Sequence, residues 1–315
     1  MIVIRSERAR HRRRWLTRLQ WGALLCVMVF IYGSHAPLIA LSKVDQRVPF
    51  DPSSCVVMIE LTKLLVSFAA FAATDGASAS LARPSPALAA PYAVPAALYA
   101  LNNNLVVLMQ AYMDPSSFQV LSNLKIAATA LLYSLCLGRR LRRGQWFSLG
   151  LLMAAGACHS YSSLAPAEGA AARLYITAWG LFLMSVYCCV SGLAAVYTER
   201  TLKSQNLPLS QQNLYLYAFG VLINGMSSLS ALASDKSFLE GYSWPVWAII
   251  AGQAANGLLM SVVLKHGSGI TRLFVISCSM LVNALLSWTF LGLQLTFFFL
   301  LPVSMVGLAA YLYYT

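Results

Sequence analysis

Two lysines lie inside apolar stretches of the chain, where a charged side chain has to be paired or to serve a function. Lys63 and Lys125 each fall about eight residues into an apolar run, in 55–74 and 117–137. A charge near the centre of a bilayer is costly, so it usually faces a cavity. Glu60 precedes Lys63 by three residues and can pair with it on one helical face, whereas no carboxylate stands at helical spacing from Lys125. We therefore expect Lys125 to be available to an anion, and Lys63 to be either a second anion ligand or half of a structural ion pair.

Amide and hydroxyl side chains are dense around Lys125 and in the apolar run before it. They are Tyr99, Asn102, Asn103, Asn104, Gln119, Ser122 and Asn123. Amides facing lipid would leave donors and acceptors unpaired, which favours a water-filled or ligand-filled cavity, although packing between helices can absorb some of them, especially Asn104. Amides carry donor and acceptor together, as the edge of a nucleobase requires, and aromatic rings offer stacking faces. A phosphate would need cations, and the candidates are Lys63, Lys125, Lys265 and Arg272.

The composition indicates which elements position these side chains. Of 315 residues, 59% are hydrophobic and only 10% are charged, with a mean hydropathy of +0.67. These values exclude a water-soluble globule, and a helix crosses a bilayer with about 20 apolar residues. We predict an all-α polytopic membrane protein with ten transmembrane helices. Their expected limits are 19–41, 55–74, 87–111, 117–137, 145–163, 173–198, 213–234, 245–265, 270–292 and 294–313.

The basic residues indicate an orientation in the membrane. The net charge is +12, and most lysines and arginines fall in the N-terminal tail, 1–18, or in alternate loops on the same side as that tail. The bias predicts that both termini are cytosolic. It explains the arginine-rich tail as a topology anchor, so we expect no nucleic-acid partner. The first apolar stretch is longer than a signal-peptide core, and we keep it as a helix, although Ala40-Leu41-Ser42 is a weak cleavage site.

The ten predicted spans divide into two halves of five helices each. Five crossings place the second half, 173–313, upside down relative to the first half, 19–163, as in the inverted repeats of many secondary carriers. The sequence itself shows no convincing repeat.

Motifs for energy coupling, catalysis or metal binding do not occur in the sequence. It lacks GxxxxGK[ST], HExxH and GxSxG motifs, and its seven cysteines have no CxxC spacing. The four histidines are scattered, and Glu60 is the only acid at depth in an apolar run. We predict that the chain is not an enzyme and that it uses no metal or cofactor.

One set of segments resembles a known family. The segments are Tyr99-Ala-Leu-Asn-Asn-Asn104, Met113 to Ile126, Glu60 to Leu64, Arg140 to Trp146, Ser191 to Lys203, Gln212 to Gly220 and Val263 to Phe274. Together they resemble the nucleotide-sugar transporters, in the solute carrier branch that holds the CMP-sialic acid and UDP-galactose transporters. Within that branch the likeness is greatest to the probable UDP-sugar transporters, and it extends over nearly the whole chain.

The resemblance implies a fold, an activity and a set of binding residues. The fold would be the ten-helix inverted repeat of the drug/metabolite transporters. The activity would be exchange, by alternating access in the Golgi membrane, of a nucleotide sugar or nucleotide alditol for nucleoside monophosphate. A pyrimidine nucleotide, linked as UDP, CMP or CDP, is the expected substrate class. Carried over by motif position, the substrate-binding residues are Lys63, Lys125 and Arg272 for phosphate, and Tyr99, Asn103, Asn104, Phe118, Gln119, Asn213 and Tyr217 for the rest of the ligand.

Four departures from the family pattern leave the base and the sugar open. Phe118 replaces a common tyrosine, Arg272 a common lysine and His266 an aromatic residue, and Asn256-Gly257 stands where Gly-Gly is usual. The alternative hypothesis is therefore a scaffold or regulator that keeps the carrier fold without transport. Small residues at 69–73 and 154–157 permit close packing, so homo-oligomers or hetero-oligomers with related transporters are possible partners beside the lipid bilayer.

Overall fold

A computed structural model describes residues 2–43, 49–74, 86–109, 111–113, 115–138, 140–162, 177–232, 238–291 and 300–315. Helices account for nearly all of them. The helices are α1 (Ile2–Ser42), α2 (Pro52–Thr74), α3 (Pro86–Met109), α4 (Pro115–Leu121), α5 (Lys125–Leu137), α6 (Arg143–Ser162), α7 (Ala178–Ser204), α8 (Leu209–Leu232), α9 (Trp244–His266), α10 (Gly269–Leu291) and α11 (Leu300–Tyr314).

The all-α polytopic fold class is confirmed. Among the described residues, six stretches are long and apolar enough to cross a membrane, and they fall in α1, α2, α4–α5, α7, α9 and α10. The remaining helices α3, α6, α8 and α11 lie on the other four predicted spans. Each predicted span therefore corresponds to a helix or, for 117–137, to α4 and α5 together.

Several predicted limits differ from the observed ones. Helix α8 begins at Leu209, four residues before the predicted 213, because the polar residues that precede the apolar run are helical. Gln212 stabilises this turn, since its Nε2 donates to the carbonyl oxygens of Leu202 (3.2 Å) and Gln205 (3.0 Å) at the end of α7. The start predicted for the sixth span, 173, lies outside the described residues.

The fourth span is interrupted directly before Lys125. A 3₁₀ turn, Ser122–Leu124, separates α4 from α5. Side chains here bond to the backbone of the preceding turn: Ser122 Oγ donates to the Gln119 carbonyl (2.9 Å), and Asn123 Nδ2 donates to the carbonyls of Gln119 and Val120 (3.1 Å each). Such local bonds compete with the regular helical pattern. Interruptions of this kind commonly occur at functional sites in helices.

Helix packing has an internal symmetry. We call α1–α6 the first half and α7–α11 the second half, with α4–α5 counted as one span. In an exchange of the halves, α1 takes the place of α7, α2 of α8, α3 of α9, α4–α5 of α10, and α6 of α11, and the reverse. The contact α1–α10 then becomes α5–α7, α1–α9 becomes α3–α7, and α2–α9 becomes α3–α8. The contacts α2–α8 and α6–α11 become themselves. Exchanging the two halves thus reproduces the most extensive of the helix pairs. This is the arrangement that two repeats of five crossings produce.

The helix ends form two faces. On the face where α7 ends and α10 begins, Glu199 Oε2 accepts from the Gly269 backbone N–H (2.6 Å) and Lys265 Nζ donates to the Leu207 carbonyl (2.7 Å). The start of α6 also lies on this face, because Ser148 of α6 bonds to Ala309 of α11 and Tyr314 at the end of α11 bonds to Thr271 of α10. We call it the basic face, since Arg140 and Arg142 directly precede α6. On the opposite face, Ser54 and Tyr242 share a hydrogen bond of 2.9 Å that joins the starts of α2 and α9.

Candidate functional site

Two cations from different halves approach each other inside the bundle. Lys125 lies on α5 and Arg272 on α10, close enough for their charges to repel. Lys125 has no hydrogen bond or ion pair with any residue that the structure describes. Arg272 Nη1 donates to the Tyr99 hydroxyl (3.2 Å), and its guanidinium carbon lies 5.8 Å from the centroid of that ring. This arrangement leaves two unneutralised positive charges that an anion can bridge.

Aromatic and amide groups surround the cation pair. Tyr32 and Tyr187 lie within electrostatic range of Arg272, and the side chain of Asn102 is a close neighbour of the Tyr187 side chain. The Asn102 Oδ1 atom is buried without a hydrogen-bond partner among the described residues. The surroundings of the cations are therefore rich in neutral hydrogen-bonding groups and ring faces.

Of the three consecutive asparagines on α3, the structure brings Asn102 to the cations. Asn103 and Asn104 are more exposed, and Asn104 Nδ2 donates to the Ala100 carbonyl of its own helix (2.9 Å). The family pattern pointed to Asn103 and Asn104, and their roles stay predictions. The signal that could have found Asn102 is its spacing of three residues from Tyr99, which places both on one helical face.

Phe118 reaches the cations through another ring. Its centroid lies 5.6 Å from that of Tyr187, in a tilted arrangement. It packs with an apolar cluster that includes Met109, Met113 and Met184. Gln119, the next residue, lines a cavity of about 160 Å³ beside Lys125.

Lys63, Asn213 and Tyr217 form a second cluster between α2 and α8. Lys63 Nζ lies 2.5 Å from Glu60 Oε1 and 4.6 Å from the centroid of the Tyr217 ring. The Tyr217 hydroxyl donates to the Gly257 carbonyl (3.0 Å). Asn213 is buried, and its Oδ1 atom has no partner in the described part of the chain. Apart from Asn103 and Asn104, the predicted binding residues are thus divided between two clusters, which come within electrostatic range through Tyr99 and Tyr217.

Lys265 has a different role from the other basic candidates. Its Nζ donates to the Leu207 carbonyl (2.7 Å) and to Gln212 Oε1 (3.0 Å). These bonds fasten the end of α9 to the loop between α7 and α8. The side chain is therefore engaged by the protein rather than open to a phosphate.

Two glycines on α9 allow a matched test of the packing around Lys63. A Cβ atom at Gly257 would lie 2.8 Å from Lys63 Cδ, whereas one at Gly252 would meet Ile31 at an ordinary 3.6 Å. Gly252→Ala is expected to leave the thermal unfolding midpoint unchanged or higher, because alanine favours helix by up to about 1 kcal/mol. Gly257→Ala is expected to lower that midpoint by several degrees, since overpacking costs about 1–3 kcal/mol. Equal midpoints in detergent would contradict the close packing of Lys63.

Comparison with known proteins identifies the family. The model of the nucleotide-sugar transporter family matches residues 17–314. The chain belongs to this family. Probable UDP-sugar transporter protein SLC35A4 from Danio rerio is 60% identical, with both chains covered in full. The proteins of the same name from Xenopus tropicalis and Homo sapiens are 52% and 51% identical, covering 96% and 94% of this chain and 94% of each relative.

A solved structure titled "Crystal structure of protein" has the same fold. It superposes with a TM-score of 0.68 over 92% of this nucleotide-sugar transporter family member and 94% of its own chain, at 12% sequence identity. The likeness at that identity concerns the fold alone.

Proposed function

We propose that the protein exchanges a nucleotide-linked sugar or alditol for a nucleoside monophosphate. The observation that carries this proposal is the pair of cations, Lys125 and Arg272, which lie inside a membrane bundle without an ion pair to any described residue. A phosphate between them would remove their mutual repulsion and supply the missing counter-charge. Both a nucleotide sugar and the nucleoside monophosphate carry such a phosphate, so the two would compete for one site.

The placement of the cations also supports alternating access. Lys125 belongs to the first half and Arg272 to the second, so a phosphate held by both joins the halves. We propose that the first half, 19–163, and the second half, 173–313, rock around this ligand. The protein would then change access only when one of the two substrates is bound. Transport in one direction is therefore coupled to transport in the other, and this exchange needs no ATP.

The neutral groups around the phosphate position support a pyrimidine nucleoside as the other part of the ligand. Tyr99 offers a ring face beside Arg272, and Asn102 holds a carbonyl oxygen without a partner among the described residues. Asn213 holds a second such oxygen in the neighbouring cluster with Lys63 and Tyr217. Amide groups can match the donor and acceptor pattern of a uracil or cytosine edge. The relatives named as probable UDP-sugar transporters agree with this class. We propose that the protein lies in the Golgi membrane, as the family resemblance implies, and that both termini are cytosolic, as the basic residues favour.

Uptake into liposomes tests this function. The purified protein is reconstituted, the vesicles are loaded with UMP or CMP, and uptake of labelled UDP- and CDP-linked sugars or alditols is measured. Uptake is expected to rise several-fold when the vesicles contain monophosphate, because the return step of an exchanger needs a ligand. Protein-free vesicles and empty proteoliposomes are the controls.

Three outcomes separate the hypotheses. If a nucleotide raises the unfolding midpoint of the protein but no labelled conjugate is taken up, the scaffold or regulator alternative is favoured. Chemical change of the labelled compound during uptake would indicate an enzyme. An unfolding midpoint that no pyrimidine nucleotide raises would overturn the proposed site, since a bound ligand stabilises the folded state by mass action.

A further inference from the structure

The connection between α5 and α6 concentrates positive charge at one place on the basic face. The sequence there is Gly138-Arg-Arg-Leu-Arg-Arg143, and the side chains of Arg140, Arg142 and Arg143 are exposed. We call these three residues the arginine corner. None of them makes a side-chain hydrogen bond or an ion pair with a residue in the described part of the chain. The proposed exchange site does not use them.

Neighbouring residues hold the backbone of the arginine corner. Gly138 ends α5 in the left-handed region, with φ at 63°, which turns the chain out of the helix. Leu141 packs on the buried cluster that contains Phe274. Gln145 Oε1 accepts from the Arg142 backbone N–H (3.0 Å) and so fixes the start of α6. The arginines therefore flank an anchored leucine, which keeps their side chains on the outside of the bundle.

The surroundings of the arginine corner are those of a membrane interface. Leu135 and Cys136 at the end of α5 are exposed, and so are Trp146 and Phe147 in the first turns of α6. Apolar side chains exposed at the ends of membrane helices contact lipid, and tryptophan is enriched where hydrocarbon meets the headgroups. The connection 138–142 is short, so the arginines stay close to that layer.

The rest of the basic face adds positive charge and no open carboxylate among the described residues. Arg18 on α1 and Arg200 on α7 are exposed, and Trp21 places this part of α1 beside the connection between α9 and α10. Glu199 is the acid on this face whose side chain the structure describes. Lys203 Nζ pairs with one of its oxygens (2.6 Å), and the α10 backbone donates to the other. An anion that approaches the arginine corner therefore meets a positive field.

We propose that the arginine corner binds the phosphorylated headgroup of an anionic inositol lipid. A guanidinium bonds two phosphate oxygens at once, and a phosphate monoester carries a charge of about −1.5 to −2. Three arginines therefore match this headgroup better than a serine or choline headgroup. The orientation proposed above places the corner on the cytosolic leaflet, where anionic lipids are found. The binding needs no nucleotide and is independent of the proposed exchange.

Binding of a fluorescent short-chain phosphatidylinositol monophosphate tests the assignment. The lipid is titrated with the purified full-length chain in neutral detergent at about 0.15 M salt, and its anisotropy is measured. The competitors are short-chain phosphatidylserine and phosphatidylcholine, the soluble headgroup inositol bisphosphate, UMP and a polyglutamate peptide.

The variants remove equal charge from different places. Arg140→Gln/Arg142→Gln/Arg143→Gln neutralises the arginine corner. The matched control is a triple variant of exposed residues outside the corner, Arg18→Gln/Lys43→Gln/Arg200→Gln. Unfolding midpoints without lipid are expected to be equal, since none of the exchanged side chains has a bond to a described residue.

The expected loss is confined to the arginine corner. A basic residue near an anionic lipid contributes about fivefold in affinity, so the corner variant should bind the probe at least about tenfold more weakly. The control should stay within about threefold, because salt screens charges more than about 8 Å away. Phosphatidylcholine and UMP should not displace the probe, and the soluble headgroup should compete more weakly than the lipid. Should the triple variant not fold, Arg142→Gln and Arg143→Gln alone are each expected to show about a fivefold loss.

Several results would overturn the proposal. Equal losses in the corner variant and its control would show attraction by overall charge. Displacement by UMP would locate the probe at Lys125 and Arg272 instead. Equal competition by the soluble headgroup would indicate a site for free phosphate, and stronger competition by polyglutamate would indicate a surface for an acidic protein. Failure of nucleotide exchange would leave the lipid site standing, since the two are measured separately.

Discussion

Lys125→Met is expected to reduce nucleotide exchange to the level of protein-free liposomes, while the protein folds and inserts normally. The ammonium group has no partner among the residues that the structure describes, so it contributes no ion pair to the fold. Its removal also ends the repulsion with Arg272. Stability without ligand should therefore stay the same or rise, because an uncompensated charge in a membrane protein carries a desolvation cost.

The expected loss of affinity for phosphate is large. Removing one partner of a buried, hydrogen-bonded charge pair costs about 2–5 kcal/mol, which corresponds to about 30-fold or more in affinity. The corresponding measurement is the rise in the thermal unfolding midpoint on adding UMP or CMP. That rise is expected to vanish in Lys125→Met.

Two variants control this experiment. Lys43→Met removes an exposed lysine at the end of α1 and should leave exchange and ligand stabilisation unchanged. Lys125→Arg keeps the charge and should retain part of the binding, although a guanidinium differs in shape and hydration from an ammonium. Normal uptake by Lys125→Met would refute the assignment of Lys125 to phosphate. A strongly lowered midpoint without ligand would instead show a structural role.

The helical framework could be predicted from the sequence because lipid imposes a simple constraint. Each span must satisfy its own backbone hydrogen bonds and face hydrocarbon, so about 20 apolar residues between polar loops indicate a helix. This rule was sufficient for α2, which begins at Pro52 and ends at Thr74 against a predicted 55–74. It failed at the start of α8, where Gln212 forms bonds inside the protein that hydropathy does not register.

The candidate site was less predictable because it depends on packing between distant segments. Spacing within one helix indicated that Glu60 and Lys63 could pair, and the structure contains that pair. Only the family resemblance grouped Arg272 with Lys125, since the two residues are far apart in the chain and no spacing rule relates them. Tyr32, which lies within electrostatic range of Arg272, was missed for the same reason: a single hydroxyl in an apolar run is common, and its neighbours decide its role.

Lys63→Met is expected to have the second large effect, on folding rather than on binding alone. The variant would leave Glu60 without its partner in a poorly solvated position, where the side chains of Lys63 and Glu60 are only 11% and 18% exposed. Breaking a buried ion pair on one side costs about 3–5 kcal/mol. We expect much lower yield of monodisperse protein and a lower unfolding midpoint than for Lys43→Met.

Adding Glu60→Gln separates folding from function. The double variant Glu60→Gln/Lys63→Met removes both charges, and replacing a buried pair by neutral groups is often neutral for stability. Yield and midpoint are therefore expected to recover. Exchange is expected to stay low, because the cation 4.6 Å from the Tyr217 ring centroid is still absent. Recovery of both yield and exchange would show that Lys63 serves only the ion pair, and that Lys125 and Arg272 are sufficient for the phosphate.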